Sequence, residues 1–160
     1  MVATMIRRVA LLCLALGFAA YPQQKYSGPR PSKPDLPYLK HASNLVPTEA
    51  GMAREEKKKD DILYVIDGAA SSARTPLASP IFLIEIDKLN PDRLGLFKLE
   101  SRNGRRELLA SPKKPPKPIR IEIERVADKL YKIEVGDSLE AGEYSLSPEG
   151  SNQVFCFQVY

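Results

Sequence analysis

Tryptophan is absent from the 160 residues, histidine occurs once, at His41, and cysteine twice, at Cys13 and Cys156. Each shortage excludes something. Without Trp there is no indole platform on which a sugar ring would stack. One histidine gives a nucleophilic serine only one base to draw on and forbids an H-x-x-x-H metal pair. There is no C-x-x-C and no acidic calcium loop, so neither a structural zinc site nor an EF-hand is expected. The phosphate-cradling G-x-x-x-x-G-K-[ST] and G-x-G-x-x-G and the G-x-S-x-G elbow are missing too. None of Asn44, Asn90, Asn103 and Asn152 begins an N-x-[ST] glycosylation site.

What is present begins with an export signal. Arg7 and Arg8 precede the apolar run from Val9 to Ala19, which is too short to cross a bilayer comfortably, and Gly17 and Ala19 supply small residues at −3 and −1 of a cleavage site. Residues 1–19 are therefore expected to be a signal peptide, and no later run would make a second span. Cys13 lies inside the apolar run and does not read as a lipoprotein acceptor. Losing two arginines leaves 22 basic residues against 20 acidic ones, so the charge does not call for nucleic acid. The mature chain keeps one cysteine, Cys156, and no internal disulfide can form. An exported domain of this kind must be held by its core, which roughly 100 residues can supply. The lack of glycosylation sites favours a bacterial envelope over a eukaryotic secretory route.

Residues 20–37 are rich in Pro and Lys and read as a disordered, extended tether. Residues 38–60 read as an extension: Tyr38–Pro47 as an extra strand or more tether, and Thr48–Asp61 as a charged stretch open to a short helix capped by Thr48. From Asp61 the hydrophobic period becomes two. Strands are expected at Ile62–Ile66, Ile81–Ile86, Leu94–Ser101, Arg105–Ala110, Ile119–Arg125, Leu130–Val135, Tyr144–Leu146 and Gln153–Tyr160. Asn103-Gly104 is a hairpin signal, because a type I′ turn needs positive φ at both positions. Ala69–Ser79 reads as a long loop or a meandering edge, and Ser111–Pro118 as a long proline-broken loop. Short strands with turns about every ten residues point to an all-β sandwich or barrel.

The stretch Leu139-Glu-Ala-Gly142-Glu-Tyr144 resembles the tyrosine corner of immunoglobulin-like β-sandwiches, in which a Tyr hydroxyl bonds to backbone a few residues upstream. The resemblance implies an immunoglobulin-like antiparallel sandwich of about 7–9 strands over residues 61–160. It departs from antibody domains in having no Trp and no cysteine pair, so antibody-type recognition does not carry over. The chain is also similar to exported bacterial proteins whose tails read L-x-x-G-E-Y…F-C-F, a similarity that brings no function with it.

Chemistry is sparse. Ser71 and Ser72 suggest a nucleophile but lack the elbow, and small loop serines explain them better. His41, without partners, reads as a solvated or capping residue. No catalytic, cofactor-binding or metal-binding residue is assigned, and no cofactor is expected. Lys113, Lys114 and Lys117 form a basic knot in the second long loop, a candidate contact for anionic polysaccharide or lipid headgroups, though solubility and edge protection explain it better. Cys156 reads as buried, with an intermolecular disulfide as the less favoured alternative. The expected function is a non-catalytic protein-interaction or structural module of the bacterial envelope, located in the periplasm, at the cell surface or outside. Its expected partner is another envelope protein. The alternatives are a small envelope hydrolase and a weak polyanion- or polysaccharide-binding module.

Overall fold

A computed structural model describes residues 26–160. The signal peptide expected at 1–19 and the start of the tether lie outside the described residues. The described residues form thirteen strands and one 3-10 turn, Pro91–Arg93. The strands are β1 (Tyr38–His41), β2 (Asn44–Pro47), β3 (Glu49–Met52), β4 (Arg54–Lys58), β5 (Asp61–Asp67), β6 (Arg74–Thr75) and β7 (Ile81–Glu85). They continue as β8 (Leu94–Arg102), β9 (Arg105–Ala110), β10 (Ile121–Ala127), β11 (Leu130–Val135), β12 (Gly142–Pro148) and β13 (Gln153–Val159).

Two antiparallel sheets result. One has five strands in the order β10-β11-β7-β1-β2. The other has eight, β3-β13-β12-β8-β9-β5-β4, with the short β6 added in parallel to β13. Between the sheets lies the main core. Leu39, Phe82, Ile84, Ile133 and Val135 of the first sheet meet Leu96, Tyr144, Leu146, Phe155, Phe157 and Val159 of the second. Phe82 and Phe157 touch edge to face across the layers, with ring centroids 5.0 Å apart. Alternation along β12 and β13 dictates this arrangement: Tyr144 and Leu146 pair with Phe157 and Phe155 on one face. Each fully buried side chain of this size is worth about 1.5–3 kcal/mol.

The eight-stranded sheet curls back on itself. Its end strands β3 and β4 are successive in the chain, separated only by Ala53, whose N–H donates to the Asn152 carbonyl at 2.8 Å. β8 turns the opposite corner. Leu94–Leu99 pair with β12, whereas Glu100–Arg102 pair with β9. The interior so enclosed holds a second, smaller core: Ala53, Ile66, Leu99, Val154 and Cys156, with Tyr64 and Leu108 packed against it. On the outside of this wall, Leu63 and Val65 are buried beneath ion pairs joining Arg54 and Arg105 to Glu56, and Arg105 to Glu107. The long stems of those side chains cover apolar surface while their heads stay wet.

Three stretches left open or read otherwise in the sequence are decided by the tertiary structure. In residues 38–60 the strand alternative holds for Tyr38–Pro47, which forms β1 and β2, whereas the stretch open to a helix forms strands β3 and β4 instead. Of these, β1 lies between β7 and β2, and β3 and β4 form the ends of the curled sheet. The residues of β3 and β4 are too polar to advertise an apolar face, and β13, which pairs with β3, comes from far along the chain. Residues 26–37 are docked rather than tether-like, with Pro31 and Pro37 buried. The Asp35 carboxylate accepts the backbone N–H groups of Asp87, Lys88 and Leu89 at 2.9–3.1 Å, and the Asp35 N–H donates to Glu85 O at 2.7 Å. Burial alone would raise this carboxyl, but the three backbone donors and Lys88 outweigh it and hold it below its ordinary range. Finally, in Ala69–Ser79 the edge alternative holds in part: β6 pairs with β13, and Ser71 and Ala73 are buried.

Candidate functional site

Alternation places Arg106, Leu108 and Ala110 of β9 on the interior face of the curled sheet, opposite Ile66, Tyr64 and Ile62 of β5. Glu143, Ser145 and Ser147 of β12 share that interior with Val154 and Cys156 of β13. The two ends of this interior differ in kind.

One end is closed by charge. Arg106 is 1% exposed, yet every arm of its guanidinium is occupied. Nε donates to Gly68 O at 2.9 Å, Nη1 to Ser71 Oγ at 2.7 Å, and Nη2 to Glu49 Oε1 and Asp67 O, both at 2.7 Å. Glu143 Oε2 accepts the Ser71 hydroxyl and the Ser71 N–H, the latter at 3.0 Å. The Ser72 N–H donates to Glu49 Oε2 at 2.7 Å. The segment Gly68–Ser72 is thus stitched over the end of the barrel by an arginine from β9 and acids from β3 and β12. Burial by itself would raise the Glu49 carboxyl, but the Ser72 N–H and the Arg106 guanidinium reverse this and hold it below its usual range. Glu143 Oε1 is buried with no hydrogen-bond partner among the described residues. Next to the cluster, burial pushes the Cys156 thiol up to about 12, so it stays protonated and unreactive.

The other end is open. Because β8 leaves β9 at Glu100, residues 94–99 of β8 and 108–110 of β9 diverge, and a cavity of about 500 Å³ fills the gap. Phe97, Leu99, Tyr64, Leu108, Ala110 and Val154 line its interior, and Pro116 and Pro118 line it from the Ser111–Pro118 loop. That loop passes over to β8, where Ile119 N–H donates to Leu96 O at 2.7 Å. Inside, the hydroxyls of Ser145 and Ser147 lie 2.6 Å apart, while Asp92 and the ion-paired Arg93 and Glu149 complete the lining. A larger, open hollow of about 1220 Å³ lies beside Tyr26–Arg30 and two hairpin turns, ringed by charges of both signs, including Arg30, Lys40, Glu124 and Asp128.

The residues singled out in the sequence fall in different places. The Tyr144 hydroxyl donates to Glu140 O at 2.8 Å, Leu139 is buried, and Gly142 begins β12. Asn103 and Gly104 hold positive φ of 51° and 76° between β8 and β9. Lys113, Lys114 and Lys117 are exposed on the loop whose Pro116 and Pro118 line the open cavity, and they make no ion pair among the described residues. Cys156 is fully enclosed (0% exposed), so its sulfur has no surface from which to form an intermolecular disulfide. His41 and Ser71 are not brought together: His41 Nε2 bonds Thr75 Oγ1 at 3.0 Å, while Ser71 is 4% exposed and committed to Arg106 and Glu143. Sequence reading passed over Arg106, Glu49 and Glu143. A signal existed for the first: Arg106 stands in the register of Leu108, a charge on an apolar face. No family model matches the chain, and neither a curated protein nor a solved structure does.

Proposed function

We propose that this protein is a non-catalytic, exported binding module of the bacterial envelope, an immunoglobulin-like sandwich whose second sheet is opened at one end to receive its partner. The observation that carries the reading is the apolar cavity where β8 parts from β9, flanked by a proline-stiffened loop. Pockets in the mouths of curled sheets, apolar with a few convergent polar groups, are a common form of binding site. Around it the framework is fixed. The Tyr144–Glu140 bond, typical of immunoglobulin-like corners, ties the turn before β12. The buried Arg106 cluster secures the far end of the barrel, so the open end is the part free to adapt. Loops carried on such a rigid frame are where contacts concentrate.

Amide hydrogen exchange on the mature protein, with and without envelope extract, tests this. Protection confined to 94–99 and 108–118 is expected, and Ala110→Trp, which fills the cavity from β9, should abolish it. Protection at the outer strands β2 or β10 instead, or none anywhere, would sink the reading. Cell fractionation tests the location: recovery of the mature chain in the cytoplasm would overturn the export assignment.

A further inference from the structure

We infer that the cavity between β8 and β9 takes a single-chain anionic amphiphile, an alkyl chain ending in a carboxylate, bound as a monomer. The inference rests on the binding reading above and adds the ligand's chemistry. Three features of the site specify it. The walls are apolar on both sides of the gap: Phe97 and Leu99 from β8 face Tyr64, Leu108 and Ala110 from β5 and β9. A flexible chain fills such a slot without leaving polar groups unpaired. At about 500 Å³ the cavity has the size of a small-molecule site, for which roughly 300–1,000 Å³ is usual.

Charge then orients the chain. Arg93 at the rim is already paired with Glu149 at 3.1 Å, so it contributes little free charge. Lys117, by contrast, stands between Pro116 and Pro118, both of which line the cavity, and Lys113 and Lys114 lie on the same loop. These three ammonium groups have no acidic partner among the described residues, and Asp92 is the one acid of the lining outside the Arg93–Glu149 pair. All three ammonium groups are exposed to water outside the lining, and a carboxylate held at the loop with its tail inward gains their screened attraction. A tail-in, head-out pose also leaves Ser145 and Ser147 in the mutual bond they already make. The source is the free monomer rather than a membrane surface, because the gap between β8 and β9 is a recess of small-molecule size and not a flat apolar face.

The test is calorimetric titration of the mature protein with dodecanoate below its micelle concentration, beside dodecylammonium and vesicles of anionic phospholipid. Dodecanoate should bind, and dodecylammonium should bind about tenfold more weakly or not at all. Ala110→Trp should abolish binding, and Ser147→Phe, entering from the opposite wall, repeats the block if the first variant folds poorly. Reversing Lys113, Lys114 and Lys117 to Glu should weaken dodecanoate about tenfold or more, and added salt should weaken the wild type. Equal binding of both head groups, binding unchanged by either blocking variant, or vesicle binding without monomer binding would each overturn the inference. If dodecanoate fails while Ala110→Trp still abolishes the exchange protection seen with extract, the ligand class is wrong and the binding reading stands. If that protection is absent as well, both fall.

Discussion

Arg106→Met cuts the centre of the cluster that closes the barrel. Methionine fills the volume of the side-chain stem but donates nothing. The substitution strands the Ser71 hydroxyl, the Gly68 and Asp67 carbonyls and the Glu49 carboxylate as acceptors in a site where the guanidinium itself was 1% exposed. Glu143, with Oε1 already unpartnered, would then have no cation facing it. Removing one member of a buried charge cluster costs about 3–5 kcal/mol, chiefly because the partners are left behind. For a domain of this size that is a drop in Tm of roughly 10–15 °C. Urea unfolding, followed by far-UV circular dichroism, measures it directly. The cycle is completed by Glu143→Leu and the double variant Arg106→Met/Glu143→Leu. If the cluster acts as a unit, the double variant is less destabilised than the two singles together, with a coupling of about 1–3 kcal/mol. A loss below about 1 kcal/mol for Arg106→Met, or strict additivity, would refute the reasoning. Hydrogen exchange adds a spatial check: protection should fall first at Gly68–Ser72, the segment the guanidinium holds.

The cluster and the Asp35 turn also set an acid limit. Glu49 and Asp35 both have depressed folded values, so the stability each contributes is present above its unfolded value and lost as the pH falls through the folded one. Asp35→Asn should therefore flatten the acid limb of a stability–pH curve, and an unchanged limb would remove Asp35 from the account. Cys156 should resist iodoacetamide at pH 8 in the native protein and label fully in urea, since burial holds its thiol near 12; rapid native labelling would contradict the enclosed position. The same group contributes stability below its unfolded value near 9 that is lost as the pH rises toward 12. Tyr144→Phe removes the bond to Glu140 O but keeps the stacking on Phe157 at 5.6 Å, so a loss of about 1 kcal/mol is expected in urea unfolding. A neutral result would mean that the corner bond adds nothing beyond the ring.

Local chemistry was legible in the sequence wherever neighbours along the chain decided the outcome. Period-two alternation in Ile119–Arg125 and Gln153–Tyr160, the Asn103-Gly104 turn and the Leu139–Tyr144 stretch each act within a few residues, and the strands and turns stand close to where those signals put them. What the sequence could not state was which distant segments meet. The polar strands β3 and β4 are strands because β13 and β5 offer them hydrogen bonds, not because of their own pattern. Asp35 is ordered because a turn more than fifty residues away presents three N–H groups to it. Arg106 was readable as an arginine in an apolar register, but its partners come from β3, β12 and the 68–72 segment, which only the curl of the sheet brings together. The open cavity is further still from the sequence. It exists because β8 changes partner at Glu100, and a strand's change of partner is decided by the geometry of the whole sheet rather than by the residues at the corner.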